Sequence, residues 1–177
     1  MKTKKYFRAF TLIELMVTLA VFMIVVGLAV PAMQSLIANN RSITLTNELV
    51  SSMYIARSEA VKRGVSVSVC PAGNQAFTSC GNNWSVGWLV FVNPDENTTF
   101  ANNATETLIR AHAVSGQTAA VTTTPASSLI TYTASGFAHA NTTNLSINIL
   151  QTGCTGNNGR NILIPFTGRP LLSNIGC

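Results

Sequence analysis

The sequence predicts an α+β fold in which one long N-terminal helix packs on a mainly antiparallel β-sheet head. Three observations lead there. A helical apolar pattern runs from Phe10 to Arg63. From Gly64 onward it gives way to short alternating or wholly apolar runs, separated by clusters rich in Gly, Asn, Ser, Thr and Pro. The helical part comes first and the strands follow as a block, an order that favours α+β over alternating βαβ units. At 177 residues the chain holds one domain with an appendage.

Composition and charge narrow the function. The chain is 47% hydrophobic and only 10% charged, against about 25% charged in soluble globular proteins. A cytosolic enzyme with a solvated charged coat does not fit. The formal net charge of +5 is concentrated at one end: Lys2, Lys4, Lys5 and Arg8 fall in the first nine residues, leaving seven cations against six acids. From Val65 onward Arg110, Arg160 and Arg169 are balanced by Asp95, Glu96 and Glu106, so the head is formally neutral.

The first element is the apolar run from Phe10 to Val30, whose 21 residues contain one charge, Glu14. As a helix it spans roughly 30 Å, the thickness of a bilayer's hydrocarbon core. The basic flank before it is expected to stay cytoplasmic and the chain after Pro31 to lie on the far side. A cleaved secretory signal would have a shorter apolar region, no carboxylate and no proline at the cut. A carboxylate in such a span costs a few kcal/mol and needs a partner. Cutting between Ala9 and Phe10 would supply one, because the new amine lies one helical turn before Glu14.

The residues Arg8-Ala9-Phe10-Thr11-Leu12-Ile13-Glu14-Leu15 resemble the type III signal of type IV prepilins and pseudopilins. That resemblance implies a leader, residues 1–9, removed by a prepilin peptidase, N-methylation of Phe10, and a filament-assembly role for Glu14. It also implies a pilin-like fold, with a membrane-spanning and filament-core helix over residues 10–31 and a kink at Pro31. Ala9 stands where the family usually has Gly, a small-for-small change with which cleavage is still expected.

The second half of the helix, residues 32–63, keeps an amphipathic stripe of Met33, Leu36, Ile37, Leu45, Leu49, Met53, Ala56 and Ala60, with Gly64 as its stop. Strands are expected at Val65–Cys70, Trp84–Val92, Thr107–Val114, Leu129–Thr133, Leu145–Leu150 and Asn161–Phe166, within a head over residues 64–177. Three stretches of this region, Arg57-Ser-Glu-Ala, Val67-Ser-Val-Cys-Pro and Trp84-Ser-Val-Gly-Trp-Leu-Val-Phe, resemble the GspH/FimT/FimU branch of minor pilins and pseudopilins. The resemblance implies a bacterial inner-membrane protein with a single span and a periplasmic C-terminal head. Its expected partners are the prepilin peptidase, other major and minor pilins or pseudopilins, and the inner membrane. Its expected work is to prime or cap a type IV pilus or a type II secretion pseudopilus. The leader and helix serve both systems, and the Cys-Pro strand tilts the reading toward the pilus.

The four cysteines, Cys70, Cys80, Cys154 and Cys177, all follow the span, which favours two disulfides in an oxidising compartment. Three pairings are open; Cys70 with Cys80 would pin the loop between them and Cys154 with Cys177 would close the tail. Zinc is disfavoured by the absence of C-x2-C and of histidines at finger spacing. Trp84 and Trp88 share one face of an extended strand and Phe91 takes the other, so core packing is expected rather than a ligand platform. Asp95, Glu96 and Asn97 lack the ligand series of a calcium loop and read as a solvated turn. Neither His112 nor His139 belongs to a recognisable nucleophile, base and orienter set, so no catalysis and no cofactor are expected. Arg160 and Arg169 lie where some members of the branch bind DNA in natural transformation. Leu171 replaces the second arginine of the usual tail motif, and three head cations are few for phosphate binding.

Overall fold

The computed structural model describes residues 10–101, 103–114, 119–126, 129–140 and 142–177. Ala9 and the rest of the leader lie outside these. The order is α1 (Leu12–Arg63), β1 (Val67–Pro71), β2 (Gly87–Val92), β3 (Leu108–Ala113), β4 (Ala119–Thr124), β5 (Ile130–Tyr132), β6 (Leu145–Gln151), β7 (Gly159–Ile164) and β8 (Leu171–Ile175). The strands form two four-stranded sheets, β3-β2-β1-β5 and β4-β6-β7-β8, antiparallel at every pairing.

Helix α1 is one 52-residue element that passes through Pro31. Proline has no amide to offer the carbonyl of Gly27, so one rung of the ladder is missing there without the helix ending. The end comes at Gly64, whose φ of 69° is left-handed and whose amide bonds the Ala60 carbonyl at 2.9 Å. The packed face begins at Ala38 and continues through Ser42, Leu45, Thr46, Leu49, Ser52, Met53, Ala56 and Ala60. Met33, Leu36 and Ile37, expected on this stripe, are exposed, because the head meets the helix only above them. Small hydroxyl residues take places in the seam: Thr46 Oγ1 donates to the Ser42 carbonyl at 2.7 Å and Ser52 Oγ to the Glu48 carbonyl at 3.0 Å.

The main core joins this stripe to both sheets through Val67, Val69, Trp84, Trp88, Val90, Ile130, Tyr132, Leu145, Ile147, Ile149, Ile162 and Ile164. A second cluster on the other face of the first sheet holds Cys70, Leu89, Phe91, Phe100 and Leu129. Strand β2 is therefore buried on both faces, with Trp88 on one and Phe91 on the other, while Trp84 packs in the main core from the turn before the strand. Two strands were not expected from the sequence, β4 and β8. They are the outer strands of the second sheet.

Candidate assembly site

From Phe10 to Gln34 every residue of α1 and its cap is exposed, and the segment is long and apolar enough to cross a membrane. Its first turn is built by Thr11, whose extended backbone and side chain cap the helix: Thr11 Oγ1 accepts from the Glu14 amide at 3.3 Å. Thr11 and Glu14 have the spacing of a capping box, a sequence signal that marks where the helix begins. The helix thus starts two residues after Phe10, which lies outside it and is 72% exposed. Among the described residues the Glu14 carboxylate has no partner. Thr18 within this stretch and Ser35 just after it bond back to the Leu15 and Ala32 carbonyls at 2.8 and 2.9 Å. Among the described residues Glu14 is thus an unpaired charge at the entrance of an apolar helix.

Above the span, a circuit of polar contacts fixes the head on the helix. Trp88 Nε1 donates to Ser52 Oγ at 2.8 Å, its ring stacks on His112 at 4.3 Å between centroids, and His112 Nε2 lies 3.2 Å from Glu48 Oε2. Further along, Arg57 Nε donates to the Gly136 carbonyl at 2.8 Å, holding the turn after β5 against the helix. Gly136 has a φ of 78°, and a Cβ there would sit 2.9 Å from Val61 Cγ2. Tyr132, buried beside this turn, has its hydroxyl pKa pushed far up by desolvation, with Arg57 opposing the shift.

Cys70 is bonded to Cys80 and Cys154 to Cys177, with Cα–Cα distances of 5.6 and 5.7 Å. The first closes the loop of the second core cluster; the second ties the chain end to the β6–β7 loop, where the Cys177 amide also bonds the Gly156 carbonyl at 3.0 Å.

The acidic loop differs from expectation. Asp95 is exposed, but Glu96 turns inward, accepting from Ser66 Oγ at 2.7 Å and lying 2.9 Å from His139 Nε2. Glu106 is buried and accepts from the Ala101 amide at 2.7 Å and from Asn97 Nδ2 at 3.0 Å. The carboxylates brace the loop, and among the described residues no group of three or more His, Cys, Asp or Glu is placed to hold a metal ion.

Arg160 and Arg169 are not brought together. Arg160 sits near the start of β7, where its guanidinium bonds Asn174 of β8 and reaches Asn39 of the helix at 3.4 Å. Arg169 is exposed in the turn beyond the other end of that strand, at least about 13 Å of extended chain away. Beside it Phe137 and Phe166, unremarked in the sequence, stack at 5.2 Å while remaining largely exposed.

Comparison with known proteins agrees with this anatomy. The family described as type II transport protein GspH matches residues 45–168, and the prokaryotic N-terminal methylation motif matches residues 4–30. Two crystal forms of the type IV minor pilin FimU from Pseudomonas aeruginosa share the fold. One has a TM-score of 0.58 at 22% identity, covering 76% of this chain and 89% of that one. The other has a TM-score of 0.55 at 25% identity, covering 73% and 90%. No curated protein matches the chain.

Proposed function

The chain belongs to the GspH family, in the type IV minor pilin and pseudopilin class, and from that premise we propose that it is a non-catalytic subunit that primes or caps a pilus or pseudopilus. The observation that carries the proposal is the segment that stands clear of its own head from Phe10 to Gln34, apolar but for Glu14, Thr11, Thr18 and Gln34. Such a surface is stable only in lipid or among other apolar helices. The chain first rests in the inner membrane with its head in the periplasm. A prepilin peptidase then removes residues 1–9 and Phe10 becomes the methylated N-terminus. In the filament the ammonium of Phe10, or that of a neighbouring subunit, neutralises Glu14, so that the charge penalty of the span is relieved by assembly.

Replacing Glu14 with alanine is expected to leave membrane insertion and head folding unchanged while cutting incorporation into sheared filaments at least about tenfold, equivalent to roughly 1.4 kcal/mol of lost pairing. Immunoblots of filament and membrane fractions test this. Normal incorporation of the variant would remove Glu14 from the assembly step.

DNA capture is the second reading, and the separation of Arg160 from Arg169 weighs against it. Arg169 next to Phe137 and Phe166 is what remains in its favour. The full chain in detergent micelles is expected to bind duplex DNA weakly, with a log–log salt slope no steeper than about −2. A steep slope abolished by Arg169→Ala alone would establish DNA capture in its place.

A further inference from the structure

We propose that the cavity at the base of the head binds the phosphodiester headgroup of a membrane glycerophospholipid, with the Arg41 guanidinium as its anion-binding group. The proposal rests on the membrane-anchored reading above and adds a ligand to it.

The cavity has a volume of about 250 Å³; Gln34, Ile37, Ala38 and Arg41 line it from one stripe of α1, and Thr152 and Gly153 from the β6–β7 loop. Gly153 has a φ of 83°, and a Cβ there would lie 4.0 Å from that of Ala38, so the loop backbone passes close over the helix. The Cys154–Cys177 bond holds the loop in place, as does the Cys154 amide, which donates to the Gln151 carbonyl at 2.9 Å. Sites for drug-sized ligands run to roughly 300–1,000 Å³. This smaller one admits a headgroup and leaves the acyl chains to the bare helix below, where Met33, Leu36 and Ile37 are exposed.

The cavity stands at the level of the membrane surface. With Glu14 at the cytoplasmic boundary, a hydrocarbon core of about 30 Å is crossed in about 20 residues, and its far boundary falls near Gln34. Arg41 is about two turns higher, roughly 10 Å, just above a headgroup layer about 5–7 Å thick. Side chains on a helix tilt toward its N-terminus, so Arg41 leans back toward that layer.

Charge selects an anion as the ligand. Arg41 is the one charged side chain between Glu14 and Glu48, and among the described residues no carboxylate pairs with it. Glu48 is about two turns further up the helix, 3.2 Å from His112. The acids of the head gather at its opposite end, where Glu96 accepts from Ser66 just beyond the helix stop and Asp95 and Glu106 both accept from Asn97. After Glu106 the chain has no acidic side chain at all. The only other charged side chain at the base is Arg160, which reaches Asn39 on the opposite flank of the helix. A cation beyond the translocated end of a span runs against the positive-inside bias, and a phosphate layer at the same height offsets that cost. The guanidinium presents a planar fork to two phosphate oxygens, and the Gln34 amide adds a neutral donor below it.

The test extracts the full chain into mild detergent from proteoliposomes of phosphatidylethanolamine and phosphatidylglycerol, and reads the retained phospholipid by native mass spectrometry. The parent is expected to keep a phosphatidylglycerol molecule, and Arg41→Gln to lower the retained fraction about tenfold. Lys62→Gln, the same loss of charge near the far end of the helix, is expected to leave it unchanged. Arg41→Lys is expected to fall between Arg41→Gln and the parent, because lysine offers a point charge in place of a fork. No loss in Arg41→Gln, or equal losses in the Arg41→Gln and Lys62→Gln variants, would overturn the site and leave the membrane anchor standing. Equal retention of diacylglycerol, which has no phosphate, would overturn it too by reducing the contact to acyl-chain packing. Binding of inorganic phosphate by a chain that retains no phospholipid would replace the lipid with a free anion. A parent chain that fails to float with the proteoliposomes would overturn the membrane reading itself.

Discussion

Replacing Trp88 with alanine is expected to destabilise the head by about 3–5 kcal/mol, the range for deleting a large buried aromatic side chain. Trp88 is fully buried in the core that joins the helix to the sheets, and its loss also strands two partners. Ser52 Oγ loses its donor, and the His112 ring loses the surface it stacks on. For a chain of this size that cost lowers the melting temperature by roughly 6–20 °C. Ser52→Ala separates the contributions, because it removes only the hydroxyl and costs about 1–2 kcal/mol. Thermal denaturation of the full chain in micelles, followed by near-ultraviolet circular dichroism, reads both. A Trp88→Ala variant that melts within about 2 °C of the parent would show that helix and sheets are held by something other than this core.

The second large effect concerns the disulfides, and its ranking carries more information than its size. Chain entropy alone assigns about 3 kcal/mol to either bond, slightly more to Cys154–Cys177 because it closes 23 residues rather than 10. Burial predicts the opposite order. Cys70 is fully buried against Leu89, Phe91, Phe100 and Leu129, whereas Cys154 and Cys177 lie at the surface. Opening the first bond releases the loop that covers the second core cluster and exposes its aromatics. The Cys70→Ala/Cys80→Ala pair is therefore expected to lose at least about 1 kcal/mol more than Cys154→Ala/Cys177→Ala. Urea unfolding of both pairs checks this; the reverse order would make unfolded-state entropy the dominant factor.

The sequence pattern makes the long helix and six of the eight strands legible, the edge strands β3 and β5 included; β4 and β8, the edges of the second sheet, are the two it hides. The helix from Leu12 to Arg63 and the central strands β1, β2, β6 and β7 announce themselves through apolar period and flanking turns. Strand β8 does not, because a strand exposed on both faces has no reason to alternate. Strand β4 is built from Ala and Thr around one Val and offers too little contrast. The apolar pattern does not coincide with the buried stripe: Met33, Leu36 and Ile37 are apolar but lie below the head, while Ser42, Thr46 and Ser52 are polar but small enough to sit in the seam. Glu96 and Glu106 face inward through bonds to Ser66, His139, Asn97 and a backbone amide far from any sequence motif. The N-terminal signal was legible because its chemistry is local, with capping residue, carboxylate and apolar run all within a few turns.

The continuity of α1 through the head has a consequence for load. A pull on the N-terminal end travels along a single rod and reaches the head as shear, parallel to the seam from Ala38 to Ala60. In that geometry the contacts along about six helical turns resist together, instead of parting one after another as they would under peeling. The Arg57–Gly136 and Trp88–Ser52 bonds cross the seam near its upper end and the Arg160–Asn39 contact crosses it at its base. An axial pull would thus be shared over the length of the joint rather than concentrated at one end of it.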